Sequence, residues 1–302
     1  MKLAFFGTPA FAVPTLRALL DSEHEVALVV AQPDKPAGRG NALQTPPTIE
    51  LARARGVPTL QPAKVKTGEL PETLEALGLD IAVVVAYGRI LTPRLLAAPR
   101  LGCINVHASL LPRWRGAAPI QWSVLAGDAT TGVATMQMAE GLDTGDILLM
   151  EETPIGPEET AADLFVRLSE LGAPLLLRTL AERPTPIPQD ERHVTLAPML
   201  TKEHARIDWT RPARELDWQV RGLSPWPGTV TTFRGEPLKV LRARPVALSG
   251  PLGEPGTFLD GPVVACGEGA LELLEVQLPG KKGVRGVDFV NGSRVKPGER
   301  LG

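Results

Sequence analysis

Apolar residues in the first two hundred positions fall into two patterns, short unbroken runs and longer segments where they recur every three or four residues. The runs "KLAFFG" (2–7), "EVALVVAQ" (25–32), "VPTLQP" (57–62) and "DIAVVVAYG" (80–88) read as strands, the last of them rich in β-branched residues. Between them, "TPAFAVPTLRALLDS" (8–22), "TIELARARG" (48–56) and "GELPETLEALG" (68–78) carry helical spacing. Thr8 stands where an N-cap belongs, with Pro9 in the first helical position. Strands alternating with helices predict an α/β fold with a doubly wound, mostly parallel sheet. Sheets of this kind bind ligands at the carboxyl ends of their strands.

Further on, "GCINVHAS" (102–109) predicts another strand and "AAPIQWSVLAGD" (117–128) a helix. "TTGVATMQMA" (130–139) alternates with period two, as a half-exposed strand does, and "TAADLFVRLSELGAPLLLRTLAE" (160–182) is a long amphipathic helix. The pattern changes at "RPTPIPQDERH" (183–193), where three prolines in five positions mark a linker. Beyond Arg206 one short helix, "RPARELDWQVRGL" (211–223), precedes the strand candidates "GTVTTF", "EPLKVLRARPV", "GTFLD", "PVVACG" and "ALELLEVQ". Their turn residues recur at roughly ten-residue spacing, as in a small sandwich or barrel. The organisation expected is a domain over 1–189, a linker over 190–206 and a small β-domain over 207–302.

Composition narrows the class. With 302 residues, 43% hydrophobic and 22% charged, the chain suits a globular protein of two domains. No run approaches the roughly 18 apolar residues of a spanning helix, so no membrane partner is expected. Two cysteines, Cys103 and Cys266, about 160 positions apart, offer neither a disulfide framework nor zinc spacing, which fits a reducing cytoplasm and no metal. The net charge is −2, but it is unevenly spread: residues 206–302 hold 14 Lys+Arg against 11 Asp+Glu, and residues 1–205 hold 18 against 23. That asymmetry suggests a C-terminal module that touches phosphate. Arg outnumbers Lys 23 to 9 and Asn occurs three times, a mark left by heat adaptation or by a GC-rich genome.

One of those three Asn residues anchors the candidate chemistry. Asn105 and His107 are two apart on a strand, so both side chains leave one face while Ile104 and Val106 pack into the other. An amide and an imidazole side by side suit the oxyanion formed when a nucleophile adds to a carbonyl; a core His with a satisfied Asn is the bland alternative. The segment Ser109, Leu110, Leu111 and Pro112 leaves the strand at once and exposes backbone groups beside that pair, or is an ordinary strand exit. In "GLDTGDIL" (141–148), Asp143 sits in a glycine-bounded turn, aimed at the same edge of the sheet or forming a surface Asx-turn. Trp114 and Arg115 line a cleft or cover a core, and Phe11 faces a substrate side chain or fits its helix's core face.

"GCINVHASLLPRWRGAAPIQW" with "GLDTGDIL", in this order and spacing, resembles the folate-dependent formyltransferases. "FFGTPAFA", "AQPDKPAGRG", "VVVAYGRIL" and "LTKEHARIDW" extend the likeness over nearly the whole chain, most firmly over residues 1–210. The resemblance implies a Rossmann-like catalytic domain followed by a small OB-like β-barrel that contacts tRNA. It implies transfer of a formyl group from 10-formyltetrahydrofolate, with no metal, to the α-amino group of methionine on initiator methionyl-tRNA, by a cytoplasmic monomer. Asn105, His107 and Asp143 map onto the family's catalytic residues, and Ser109, Leu110, Leu111 and Pro112 onto its folate-binding loop. The insert "PDKPAGRGNALQTPP", with Lys35 and Arg39, would grip the acceptor end, and Lys202 and Arg206 would extend the phosphate contacts; solvated surface charge explains each of the four equally well.

Three rival readings remain. A formyltransferase acting on an amino sugar nucleotide would share the catalytic domain. A nucleotide-binding dehydrogenase is disfavoured because "FFGTPAFA" lacks G-x-G-x-x-G spacing. A non-catalytic RNA-binding protein leaves Asn105, His107 and Asp143 unexplained. Arg39→Ala is expected to weaken use of the tRNA substrate in a formylation assay while sparing folate binding; equal loss of both would assign the loop to the fold.

Overall fold

The computed structural model describes residues 1–37, 42–248 and 252–302. They divide into two compact units, one of Met1–Pro119, Thr130–Pro154 and Phe165–Ala197, the other of Ile120–Ala129, Ile155–Leu164 and Pro198–Gly302. The stretch 190–206 read as a linker is therefore shared, its first part in unit one and the rest in unit two. Arg39 lies outside the described residues.

Unit one contains strands β1 (Lys2–Gly7), β2 (Glu25–Val30), β3 (Lys35–Ala37), β4 (Ala42–Gln44), β5 (Thr59–Leu60), β6 (Ile81–Val85), β7 (Cys103–His107), β8 (Arg115–Gly116), β9 (Thr130–Gln137), β10 (Ile147–Pro154) and β11 (Leu196–Ala197). Its helices are α1 (Val13–Leu20), α2 (Pro47–Ala54), α3 (Glu69–Ala76) and α4 (Pro93–Ala97). Helix α5 (Pro119–Leu125) and helix α6 (Ala161–Glu182) each begin in one unit and end in the other. Seven strands form one sheet in the order β10-β9-β7-β6-β1-β2-β5. β1, β2, β5, β6 and β7 pair in parallel, whereas β9 runs antiparallel to both β7 and β10. This is the doubly wound, mostly parallel sheet that the alternating pattern predicts.

Side-chain alternation sends Ala4, Phe6, Ala82, Val84 and Cys103 to one face, where Leu70 and Leu74 of α3, Leu95 of α4 and Leu91 just ahead of α4 cover them. The opposite face of β7 and β9 lies under α6: the Cβ that Gly172 lacks would sit 3.0 Å from Val106 and 3.6 Å from Val133, and the buried Thr135 and Thr179 hydroxyls are 2.8 Å apart. β9 therefore departs from the half-exposed strand expected of its period-two sequence. Six consecutive residues are buried, because helix covers one face and Leu111, Met136 and Ile147 pack the other.

The cap expected at Thr8 is not formed. A short 3-10 turn at Ala10–Ala12 intervenes before α1, and the Thr8 hydroxyl instead donates to the Tyr87 carbonyl and accepts from the Gln32 amide, tying together the ends of β1, β2 and β6. The insert after β2 carries a short antiparallel pair, Lys35–Ala37 against Ala42–Gln44.

Unit two carries α7 (Ala213–Gly222), β12 (Thr229–Phe233), β13 (Glu236–Val246), β14 (Val263–Ala265), β15 (Ala270–Gln277), β16 (Val284–Arg285) and α8 (Gly286–Ser293). Its five strands are antiparallel in the order β12-β13-β15-β14, with β16 on β15. Bridges Phe233 to Leu301, Thr257 to Arg300 and Phe258 to Val264 link β12 round to β14, closing a small barrel over Phe233, Leu238, Phe258 and Phe289. "GTFLD" contributes only isolated bridges, not the strand expected.

Asp217 and Arg221 form an i,i+4 ion pair at 2.9 Å on the buried side of α7. Burial raises the Asp217 pKa despite the guanidinium beside it. Arg221→Met strands that carboxylate and is expected to cost about 3 kcal/mol at neutral pH. A raised folded-state pKa means the group's contribution to stability is intact below the unfolded pKa and lost as pH rises through the folded one, so the deficit shrinks on acidification. Chemical denaturation at pH 7 and pH 5 checks this; an equal deficit at both values contradicts it.

Candidate functional site

The period of two along β7 places the first two groups. Asn105 and His107 share the face that carries Met136 and Ala134, their cross-strand partners on β9, and both are almost fully buried. The third group arrives by an unexpected route. Because β9 is antiparallel, its exit lies at the amino end of β7, where the Met138 amide donates to the Cys103 carbonyl. The 138–146 loop then folds back over the sheet and delivers Asp143 onto the face of β7 rather than to the strand's carboxyl edge. Gly145 permits the return: a Cβ there would stand 1.7 Å from the Gln137 carbonyl oxygen.

Asp143 accepts from the Gly116 amide at 2.9 Å, lies 3.5 Å from Asn105 Nδ2 and sits 3.7 Å from His107 Nδ1. Its carboxylate is thus the hub of the three groups singled out in the sequence. The other imidazole nitrogen, Nε2, is 2.9 Å from the Trp114 carbonyl. A carbonyl accepts only, so Nε2 carries a proton, and in the neutral ring Nδ1 is then the bare nitrogen beside Asp143. The expectation that His107 and Asn105 both donate to one oxygen is accordingly revised, because the Nε2 proton is committed to Trp114.

Asp143 and Trp114 both have left-handed backbone conformations, with φ of 51° and 62°. Asp tolerates that region better than most residues, whereas Trp there costs about 1–2 kcal/mol and must be held. The hold comes from residues 187–197. The Trp114 amide donates to Thr195 Oγ1, the Arg115 amide to the Thr195 carbonyl, and the Ala117 amide to the Ala197 carbonyl. β11 pairs in parallel with β8. The Arg115 guanidinium, 5% exposed, grips Glu191 through two nitrogens and donates from Nε to Gln189 Oε1 at 2.9 Å; it holds the Glu191 carboxyl below the usual range. Arg115 is therefore a buried brace, while Trp114, half-buried, has the Arg113 guanidinium 5.0 Å from its ring centre. Sequence reasoning read 190–206 as linker and did not single out Gln189, Glu191 or Thr195, since proline spacing carries no sign of a packed brace.

Of the loop Ser109 to Pro112, Ser109 is fully buried and its hydroxyl donates to the Arg113 carbonyl, and Leu111 joins Ala134, Met136 and Ile147 in a small core. Only Leu110 and Pro112 retain exposed side-chain surface. Cys103, two residues before Asn105, has its thiol pushed up to about 12 by burial, which removes it as a nucleophile. Phe11 packs edge-on against Phe165 in the core. Lys35 is exposed and donates to Gln32 Oε1; in unit two, Lys202 and Arg206 are exposed at either end of a 3-10 turn. Among the described residues no cluster of three His, Cys, Asp or Glu side chains could hold a metal, and no helix is long and apolar enough to cross a membrane.

The chain resembles known proteins along its whole length. Residues 1–180 match the formyl transferase family and residues 199–294 the formyl transferase C-terminal domain. The methionyl-tRNA formyltransferase of Gluconobacter oxydans is 52% identical over the full length of both chains, and that of Solibacter usitatus 50% identical over all of this chain and 99% of its own. Among solved structures, an N-formyltransferase from Helicobacter canadensis superposes with a TM-score of 0.69 at 17% identity, covering 92% of this chain and 98% of that one, a likeness of fold. The chain belongs to the formyl transferase family, in the branch of the methionyl-tRNA formyltransferases.

Proposed function

We propose that the protein transfers the formyl group of 10-formyltetrahydrofolate to the α-amino group of methionine on initiator methionyl-tRNA, as a cytoplasmic monomer. The observation that carries the reading is the Asp143 carboxylate, held within 3.7 Å of both the Asn105 amide and the His107 imidazole on one strand face, in a chain half identical to methionyl-tRNA formyltransferases. The residues present suit the formyl donor. On the same side of the sheet the Tyr87 hydroxyl is buried with no partner among the described residues, and Ile90 and Leu142 present apolar surface in the segments after β6 and β9. The sugar formyltransferase reading has support only at the level of fold.

The chemistry follows from the donors and acceptors in place. An amine adding to a formyl carbon loads negative charge onto the formyl oxygen, and Asn105 Nδ2 has a hydrogen to direct at it. The adding nitrogen must shed a proton. His107 Nδ1 has the free lone pair to take it, and Asp143 stabilises the imidazolium that results. That proton then goes to the departing folate nitrogen. Because an α-amino group has a pKa near about 8 and is partly neutral already, orientation and charge stabilisation outweigh the need for a strong base. Leu110 and Pro112 would flank the folate, with Ser109 and Leu111 shaping the loop from beneath. Lys35, Arg39, Lys202 and Arg206 would contact tRNA phosphates.

The full-length protein is expected to formylate charged initiator tRNA and to leave a 4-amino-sugar nucleotide unmodified; the reverse preference would establish the sugar reading. Asn105→Ala and His107→Ala should each lower turnover about 100- to 1000-fold with the fold retained, and near-normal rates would remove the residue from the mechanism. Gly145→Ala, remote from the reacting atoms, is expected to lose at least about tenfold in turnover because its Cβ displaces the loop bearing Asp143.

A further inference from the structure

The carboxamide of Gln189 makes contacts that bear on catalysis at one remove. Its Nε2 donates at 2.9 Å to the carbonyl of Asp143 and at 2.6 Å to the carbonyl of Gly145. Its Oε1 accepts from Arg115 Nε at 2.9 Å, and Arg115 is fixed in turn by Glu191. Both amide hydrogens are spent on the turn that carries the hub carboxylate, and the oxygen is spent on the segment whose next amide, Gly116 N–H, grips that carboxylate. One side chain therefore bridges the two backbone segments between which Asp143 is suspended.

We propose that Gln189 is a positioning residue for formyl transfer: it sets the left-handed turn at Asp143 and registers it against Arg115 and Gly116, so that the carboxylate stays beside His107 Nδ1. The inference rests on the proposed catalytic role of Asp143. The chemistry of the position is specific. Two carbonyl oxygens 2.6 and 2.9 Å from one nitrogen call for a group with two hydrogens, while the guanidinium Nε calls for an acceptor, and a carboxamide is the one natural side-chain group that supplies both. Glutamate at this place has the same shape but turns an oxygen toward the two carbonyls, and alanine leaves the turn and the Arg115 segment unlinked.

The test is steady-state formylation of methionyl-tRNA by the full chain as wild type, Gln189→Ala, Gln189→Glu, Asp143→Asn and the Gln189→Ala/Asp143→Asn double variant. Gln189→Ala is expected to lower kcat about 10- to 100-fold with KM for both substrates within about twofold of wild type, since substrate contacts are untouched. In the Asp143→Asn background the same change should cost less than about twofold, because the residue acts only through Asp143. Gln189→Glu, which keeps the volume of the side chain, should share the kcat defect and keeps the test open should the alanine variant fold poorly. Wild-type kcat in Gln189→Glu, a loss confined to KM, or an equal factor lost in both backgrounds would each overturn the proposal. An inactive wild type would instead sink the assigned reaction.

Discussion

A carboxylate taken largely out of water needs partners, and much of unit one around the site is arranged to supply them to Asp143. Its side chain is 13% exposed, and a charge so placed is tolerated only when donors converge on it. The Gly116 amide comes from the segment after β7, the Asn105 amide from β7 itself, and the carboxylate from the turn after β9. Two of these segments contain residues in left-handed conformations, so neither would hold its shape alone. Residues 187–197 supply the restraint through Gln189, Thr195 and the short parallel pairing of β11 with β8.

The antiparallel strand is what makes this possible. In an all-parallel sheet every loop at one end of β7 would come from a strand's carboxyl terminus. With β9 reversed, its exit leaves from the far end, and the returning loop covers the face of β7 beyond the reach of α3 and α4. The site thus gains a floor of strand, a wall of turn and a dry apolar margin of Leu111, Met136 and Ile147, where dipoles and charges act with less screening than in water. Preorganised groups of this kind lower a barrier by stabilising charge as it develops, which suits a reaction whose nucleophile needs little activation.

Much of this was legible in the sequence because it depends on local periodicity. Unbroken apolar runs gave the parallel strands, and a spacing of two placed Asn105 and His107 on one face. The tautomer was not legible, since it is set by a carbonyl seven residues on whose direction depends on the left-handed Trp114. Thr8 failed as a cap because its hydroxyl finds better-placed partners on neighbouring strand ends, a tertiary effect invisible to local rules. β9 read as half-exposed because Thr131, Thr135 and Gln137 fall on positions of one parity, yet Thr135 is buried against Thr179 on α6, more than forty residues later. The brace at 187–197 went unseen for a similar reason: three prolines fit an unattached connector and a fixed strap equally well, and only the side chains that follow, Gln189 and Glu191 with their shared Arg115, separate the two.

The central claim, that His107 is held with its proton on Nε2 and its lone pair toward Asp143, is open to direct measurement. With four histidines in the chain, nitrogen-15 NMR of the labelled protein at neutral pH, assigned by comparison with a His107 variant, reads the tautomer of this one ring. The account predicts a protonated Nε2 and a bare Nδ1. A proton found on Nδ1 would contradict it, since the nitrogen facing the carboxylate could then accept nothing from the attacking amine.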